Sequence, residues 1–425
     1  MNMRERDRIL LAIFLKIDDI LNIESIERRM SMNDILESAK KIQDEIVHIR
    51  RELHANPEVG DHLPITKKYV MDTLRSFGYE PVEICESGIV ATIQGDKPGK
   101  VFLLRSDMDS LPVKEETTCP FKSTNGNMHA CGHDMHAAML LGAAKLLKEY
   151  QHEIEGTVKL VFQPNEEGFK GAKAMLKAGV LENPKVDAAM AIHVHSGSPS
   201  NMVLYGLGTS MAGCTIFRIV VKGTSCHGAM PETGVDPINI ATHIYLAFQE
   251  LITREISATQ SAVVTIGKFV GGETHNVIPG QVIMEGTIRH QSKEMGDFIY
   301  KRMEEITVSM AKMFRGDATM EELASVPPLI NDETLANEIG GYIKDIVGEN
   351  SVKGFRGIGM GSEDFASYTY EVPSMYLMLG AGTKEENSQF GYPMHHPSVV
   401  FNEEILSTGA AIHAYSAIQW LKEHR

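Results

Sequence analysis

The chain has 425 residues, enough for two domains with cores of their own. Its 41 basic and 56 acidic side chains leave a formal charge of -15, which argues against a nucleic-acid-binding surface. Five cysteines, an odd number in so long a chain, do not make a disulfide framework, and the expected compartment is the reducing cytoplasm.

The first apolar run, Ile9 to Ile17, is interrupted by Lys16 and followed by Asp18 and Asp19. It is too short to span a bilayer and lacks a small-residue cleavage site, so no membrane partner is expected. Residues 1–31 read as an appended extension, with Met32 as an alternative start. From Met32 to Arg51 apolar positions recur at helical spacing, and a second helix is expected over Leu63–Phe77. Gly88–Ile93 and Val101–Leu104 read as strands, the second leading into Asp107 and Asp109. A helix containing Met139, Leu140, Ala143, Leu146 and Leu147 begins near Asp134. Thr157–Phe162 is a buried-strand pattern that ends at Glu166 and Glu167, and Ala188–Ile192 is another that ends at His193.

Alternating helices and apolar strands predict an α/β fold, a mostly parallel sheet covered by helices. Such sheets place ligands beyond the carboxyl ends of their strands, which is where these polar residues fall. A different rhythm starts near Gly213. A strand over Thr215–Lys222, a helix from Pro237, strands over Ala262–Phe269 and Gln281–His290, a helix over Lys293–Phe314 and a last short strand give the order β-α-β-β-α-β. That is the order of a ferredoxin-like α+β sandwich. The expected organisation is therefore a catalytic domain over 32–208 and 327–425, interrupted by an inserted domain over 209–326.

The densest chemistry lies in His129-Ala-Cys-Gly-His-Asp-Met-His136. Cys131 and His133 point to one side of an extended segment and offer a thiolate and an imidazole. Glu166 and Glu167 need different tasks, one binding metal while the other faces the reacting water; the pattern alone does not assign them. His193 and His195 share a strand parity, so either could be a ligand. One of His395 and His396 could close the site, while His129 and His136 are weaker candidates. Asp107 and Asp109 could orient ligating histidines, and Asp134 could do the same or cap its helix. The segment Gly359-Met-Gly-Ser-Glu-Asp-Phe365 suits either a close approach to a ligand or a glycine-permitted turn. Soft and borderline donors beside a carboxylate pair point to a transition-metal centre that activates water.

Several motifs, in this order, resemble the metal-dependent amidohydrolases of peptidase family M20, subfamily D: Leu104-Arg-Ser-Asp-Met-Asp-Ser-Leu-Pro112, Met128-His-Ala-Cys-Gly-His-Asp134, Phe162-Gln-Pro-Asn-Glu-Glu167, His227-Gly-Ala-Met-Pro231, Asn276-Val-Ile-Pro279, Gly361-Ser-Glu-Asp-Phe365 and Met394-His-His-Pro397. That group includes aminoacylases, hippurate hydrolases and auxin-conjugate hydrolases. The resemblance implies two divalent ions, Mn2+, Zn2+ or Co2+, held by Cys131, His133, Glu167, His193 and His395, with Glu166 as base and proton shuttle. It also implies that the inserted domain is a lid pairing two subunits in a homodimer, a tetramer being a second arrangement. His227 then reaches the partner's site, Asn276 lies near the substrate, and Arg289 takes a substrate carboxylate. The implied reaction is hydrolysis of an N-acyl amino acid or related small amide; the alternative is a dipeptidase or exopeptidase, and a non-enzymatic metal-binding protein ranks behind both. Asn165, Cys226 and His195 depart from the residues usual at their positions.

Overall fold

The computed structural model describes residues 32–425, so the extension expected over 1–31 lies outside the described residues. The first large sheet has eight strands, among them β1 (Val82–Cys85), β2 (Gly88–Gln94), β3 (Lys97–Asp107), β4 (Glu155–Gln163), β5 (Ala188–His195) and β6 (Val203–Gly206). Its order is β1-β2-β4-β3-β5, then Ser374–Gly380, β6 and Val352–Phe355. The central strands β4, β3, β5 and Ser374–Gly380 run parallel, and antiparallel pairs lie toward the sides.

Period-2 alternation explains why this sheet is covered twice. Phe102 and Leu104 of β3 enter one core with Val158 and Leu160 of β4, beneath the helices Gln43–Ala55, His133–Glu149 and Leu406–Glu423. Leu103 and Val161 enter the opposite core with Ala189, Met175 and Phe365. Both faces of the central strands are thus apolar, which is why they read as unbroken hydrophobic runs.

The helix expected as one piece from Met32 is two, Met32–Lys41 and Gln43–Ala55, with Ile42 between them at φ -100° and ψ 9°. At the break the Gln43 carboxamide donates to Glu403 O and accepts from Ser407 N, which docks the second helix on the start of the C-terminal one. Redirecting the chain there lets Ile35 and Ala39 before the break, and Ile46, Ile49 and Leu53 after it, reach the same core.

The second sheet has four strands, in the order Ala262–Gly271, Gln281–His290, Gly213–Lys222, Asp317–Val326. All three pairings are antiparallel. With the helices Pro237–Glu250 and Lys293–Met313 this is the ferredoxin-like β-α-β-β-α-β order, although its last strand runs ten residues and is not short. Its own core holds Phe217, Ile219, Val221, Phe248, Ile299 and Met303. Local chemistry sets the helix starts. The Asp236 carboxylate accepts from Ile238 N at 2.9 Å ahead of Pro237, and the Ser292 hydroxyl accepts from Met295 N at 3.2 Å. Among the described residues no helix is long and apolar enough to cross a membrane.

Candidate metal centre

Three parallel strands deliver their ends to one edge of the large sheet. Asp107 closes β3, Glu166 and Glu167 lie just beyond β4, and His193 is near the end of β5. The helix that starts at His133 supplies the fourth element. Its preceding residue, Gly132, has φ +90°, and a Cβ there would sit 2.4 Å from the Val194 side chain. Glycine lets the chain turn tightly against β5, with Cys131 before the turn and His133 after it.

Five predicted residues converge. Cys131 Sγ is 3.5 Å from His193 Nε2 and 3.2 Å from His395 Nε2. His395 Nε2 is 3.4 Å from Glu167 Oε1, and His133 Nε2 is 4.0 Å from that same oxygen. Cys131 belongs to two triplets of donor atoms, one with His133 and His193 and one with Glu167 and His395, each within 4.8 Å. Glu166 joins His133 and Glu167 in a further triplet, with Oε2 3.9 Å from His133 Nε2.

These residues fit a metal. The His133 Nδ1–H donates to Asp109 O at 3.0 Å and the His193 Nδ1–H donates to Val194 O at 2.6 Å, which turns both Nε2 lone pairs toward the cluster. His133 Nε2 and Glu167 Oε1 are buried with no hydrogen-bond partner, a costly state unless a cation satisfies them. Zinc bond lengths of about 2.0 Å to nitrogen and about 2.3 Å to sulfur set tetrahedral N···S edges near 3.5 Å, close to those seen here. Burial pushes the Cys131 thiol well up and Glu167 up to about 7, so the protein alone opposes their charged forms. Burial, then the carboxyls of Glu363, Asp364 and Glu167, raise Glu166 as well. A nearby cation reverses each of these shifts.

The surrounding groups fix the donors. Asp109 accepts from Glu166 N at 3.1 Å and Glu167 N at 3.2 Å, so one carboxylate holds both glutamates. Asn165 takes φ +54°, a left-handed conformation that asparagine tolerates, and its amide donates to Asp61 at 2.7 Å. His395 takes φ +68°, an uncommon left-handed conformation for a residue with a side chain, and its N–H is anchored on Ala130 O at 2.9 Å. Asp107 accepts from His136 Nδ1 at 2.6 Å, and His136 Nε2 accepts from Val194 N at 2.8 Å.

Sequence reasoning missed Arg105. Its fully buried guanidinium touches Asp107 at 2.7 Å, Asp364 at 2.8 Å, Glu363 at 3.0 Å and Gln163 at 3.1 Å. Asp364 in turn donates its backbone N–H to Glu166 Oε1 at 3.3 Å. Apart from the place of Arg105 in the Leu104–Pro112 motif, its signal in the sequence was a cation inside an apolar strand, two residues before an acid. Arg105→Met is expected to lower folding stability by about 3–5 kcal/mol in urea unfolding, because three buried carboxyls lose their counter-charge.

Other predicted residues lie apart. His195 bonds Ser198 Oγ at 2.9 Å, and His396 accepts from Ser398 N at 3.0 Å while stacking on Tyr392. Asp134 does not cap its helix; it pairs with Arg50 and His54, each at 2.7 Å. His227 and Asn276 come together on a short antiparallel ribbon, where Gly228 N donates to Asn276 O at 2.8 Å, and both are exposed. Among the described residues no hydrogen bond or ion pair joins them to the five-residue cluster. Arg289 Nη1 donates to Ser362 Oγ at 2.6 Å, joining the inserted sheet to the segment before Glu363.

Residues 103–419 match peptidase family M20/M25/M40. The chain belongs to that family. It is 36% identical to an IAA-amino acid hydrolase ILR1-like 2 of Arabidopsis thaliana, over 92% of this chain and 88% of that one. It is 33% identical to an N-acetylcysteine deacetylase of Bacillus subtilis, over 89% of this chain and 97% of the relative. A solved Bacillus subtilis structure, described as a dinuclear metal binding peptidase from the M20 family, superposes with a TM-score of 0.74 at 31% identity, covering 90% of this chain and 99% of that one. This M20 chain is a metal-dependent hydrolase that cleaves amide bonds, and its cofactors are divalent metal ions.

Proposed function

We propose that the chain hydrolyses N-acyl amino acids or closely related small amides, giving a carboxylate and a free amine. The observation that carries this reading is the unpartnered His133 Nε2 and Glu167 Oε1, buried beside Cys131, His193, His395 and the second carboxylate of Glu166. Cys131, His133, Glu167, His193 and His395 would hold two divalent ions, Mn2+ or Zn2+. When bound, such ions lower the pKa of water and polarise a carbonyl.

Glu166 accepts the proton of the attacking water, whose oxygen adds to the amide carbon. The carbon–nitrogen bond then breaks as Glu166 returns that proton to the leaving amine. The Asp364 N–H and the Asp109 carboxylate hold Glu166 for both transfers. His227 and Asn276 serve the developing oxyanion, and Arg289 the substrate carboxylate, exchanging its Ser362 contact for the ligand.

A homodimer through the inserted domain belongs to the same reading. Ala262–Gly271 is an edge strand of its sheet and exposes Val263, Phe269 and Val270. An unpaired, apolar edge of that kind favours pairing with a second copy. Five free cysteines accord with the cytoplasm.

Amine release from a panel of acetyl- and benzoyl-amino acids and dipeptides tests the substrate class. The expected result is at least about tenfold higher kcat/KM on the best N-acyl amino acid than on any dipeptide, a difference of about 1.4 kcal/mol in transition-state binding. Preference for dipeptides would replace this reading by the exopeptidase one.

A further inference from the structure

The Asp134 carboxylate faces a second set of metal-type donors. His54, Glu115 and Cys119 each place one donor atom within 4.8 Å of the others. His54 Nε2 lies 3.2 Å from Glu115 Oε1, and that oxygen lies 3.5 Å from Cys119 Sγ. Zinc bonds of about 2.0 Å to nitrogen or oxygen and about 2.3 Å to sulfur give tetrahedral edges of about 3.3 Å and about 3.5 Å.

The supporting contacts have the form that metal ligands take. His54 Nδ1 is 2.7 Å from Asp134 Oδ2, the shorter of its contacts, with Arg50 Nη2 at 3.2 Å. An Nδ1–H given to a carboxylate turns the Nε2 lone pair toward Glu115 and Cys119, the carboxylate–histidine–metal arrangement. The other Glu115 oxygen accepts from Ser123 N at 2.6 Å, while Oε1 accepts from the Thr117 hydroxyl and keeps its second lone pair for the cluster. His54 and Glu115 are buried, whereas Cys119 is half-buried and lines a cleft of about 740 Å³ with Thr117, Phe121 and Tyr392. The cleft gives an ion a route in to the half-buried Cys119.

Charge is conserved on loading. Without an ion, protonated His54 and Arg50 balance Glu115 and Asp134. A divalent cation that displaces the His54 Nε2 proton and the Cys119 thiol proton leaves the sum unchanged. We propose that His54, Glu115 and Cys119 form a separate binding site for a borderline divalent cation, best suited to zinc, with three protein ligands and one open position.

The test uses the full chain, loaded with zinc chloride and freed of unbound metal by gel filtration. Cys119→Ser is expected to carry one zinc fewer per chain than the wild type; the same zinc content in both would overturn the site. Iodoacetamide modification of Cys119, followed by peptide mass mapping in the wild type, needs no variant. Zinc is expected to slow it about tenfold or more, because coordination occupies the sulfur. Equal rates with and without zinc would overturn the site equally. Neither readout depends on amide hydrolysis.

Discussion

Cys131→Ala is expected to lower metal affinity by more than the roughly 100-fold that loss of an outer-shell group costs, and to abolish metal-dependent turnover with it. Cys131 Sγ is the one donor common to the triplets with His133 and His193 and with Glu167 and His395, so its removal weakens both. Metal content after dialysis and amine release, read on the same sample, check this. Thermal unfolding gives an independent view, since a ligand at about 100 times its Kd adds about 2.7 kcal/mol to the wild type. That metal-induced rise in Tm should be much smaller in Cys131→Ala. Cys214→Ala is the control, because Cys214 is buried in the strand Gly213–Lys222 of the inserted sheet and should leave metal content unchanged. Equal metal content and turnover in Cys131→Ala and the wild type would remove Cys131 from the site.

Glu166→Gln is expected to retain its metals but lose about 10²–10⁴-fold in kcat, with a small change in KM. The amide oxygen of glutamine can still accept the Asp364 N–H that reaches Glu166 Oε1, and the backbone N–H held by Asp109 is unaltered. The substitution therefore removes proton transfer while keeping the geometry. Glu167→Gln should differ in kind, losing metal as well as rate, since Glu167 Oε1 is the unpartnered oxygen beside His395 and His133. That contrast separates two adjacent carboxylates whose tasks the sequence pattern left open.

Much of the fold was legible because burial writes itself into periodicity. The apolar runs of β3, β4 and β5 mark strands covered on both faces, and the polar residues at their ends fall together once those strands lie parallel. The ferredoxin-like order was equally plain, since its strands and helices are separated by clear turn and cap residues such as Asp236 and Ser292. What stayed hidden depends on single backbone angles and on partners distant in sequence. His395 and His396 are neighbours with the same chemistry, and it is the left-handed conformation of His395 that accompanies its approach to Cys131. Asp134 sits where a capping residue belongs, yet Arg50 and His54, some 80 residues earlier, claim its carboxylate. Arg105 draws Glu363 and Asp364, far later in the chain, beside its near neighbour Asp107, and that distant half of the convergence leaves no local pattern. Asn165, which departs from the usual residue, has a physical reason: it takes the left-handed turn that presents Glu166 and ties it to Asp61.

The decisive measurement is amine release from an N-acetylated amino acid panel by metal-stripped wild-type protein, before and after reloading with manganese or zinc. The expected result is no release from the stripped protein, restoration on reloading, and no comparable restoration in Glu166→Gln at equal metal content. Undiminished release from protein verified as metal-free, or full activity in reloaded Glu166→Gln, would contradict a metal centre served by Glu166.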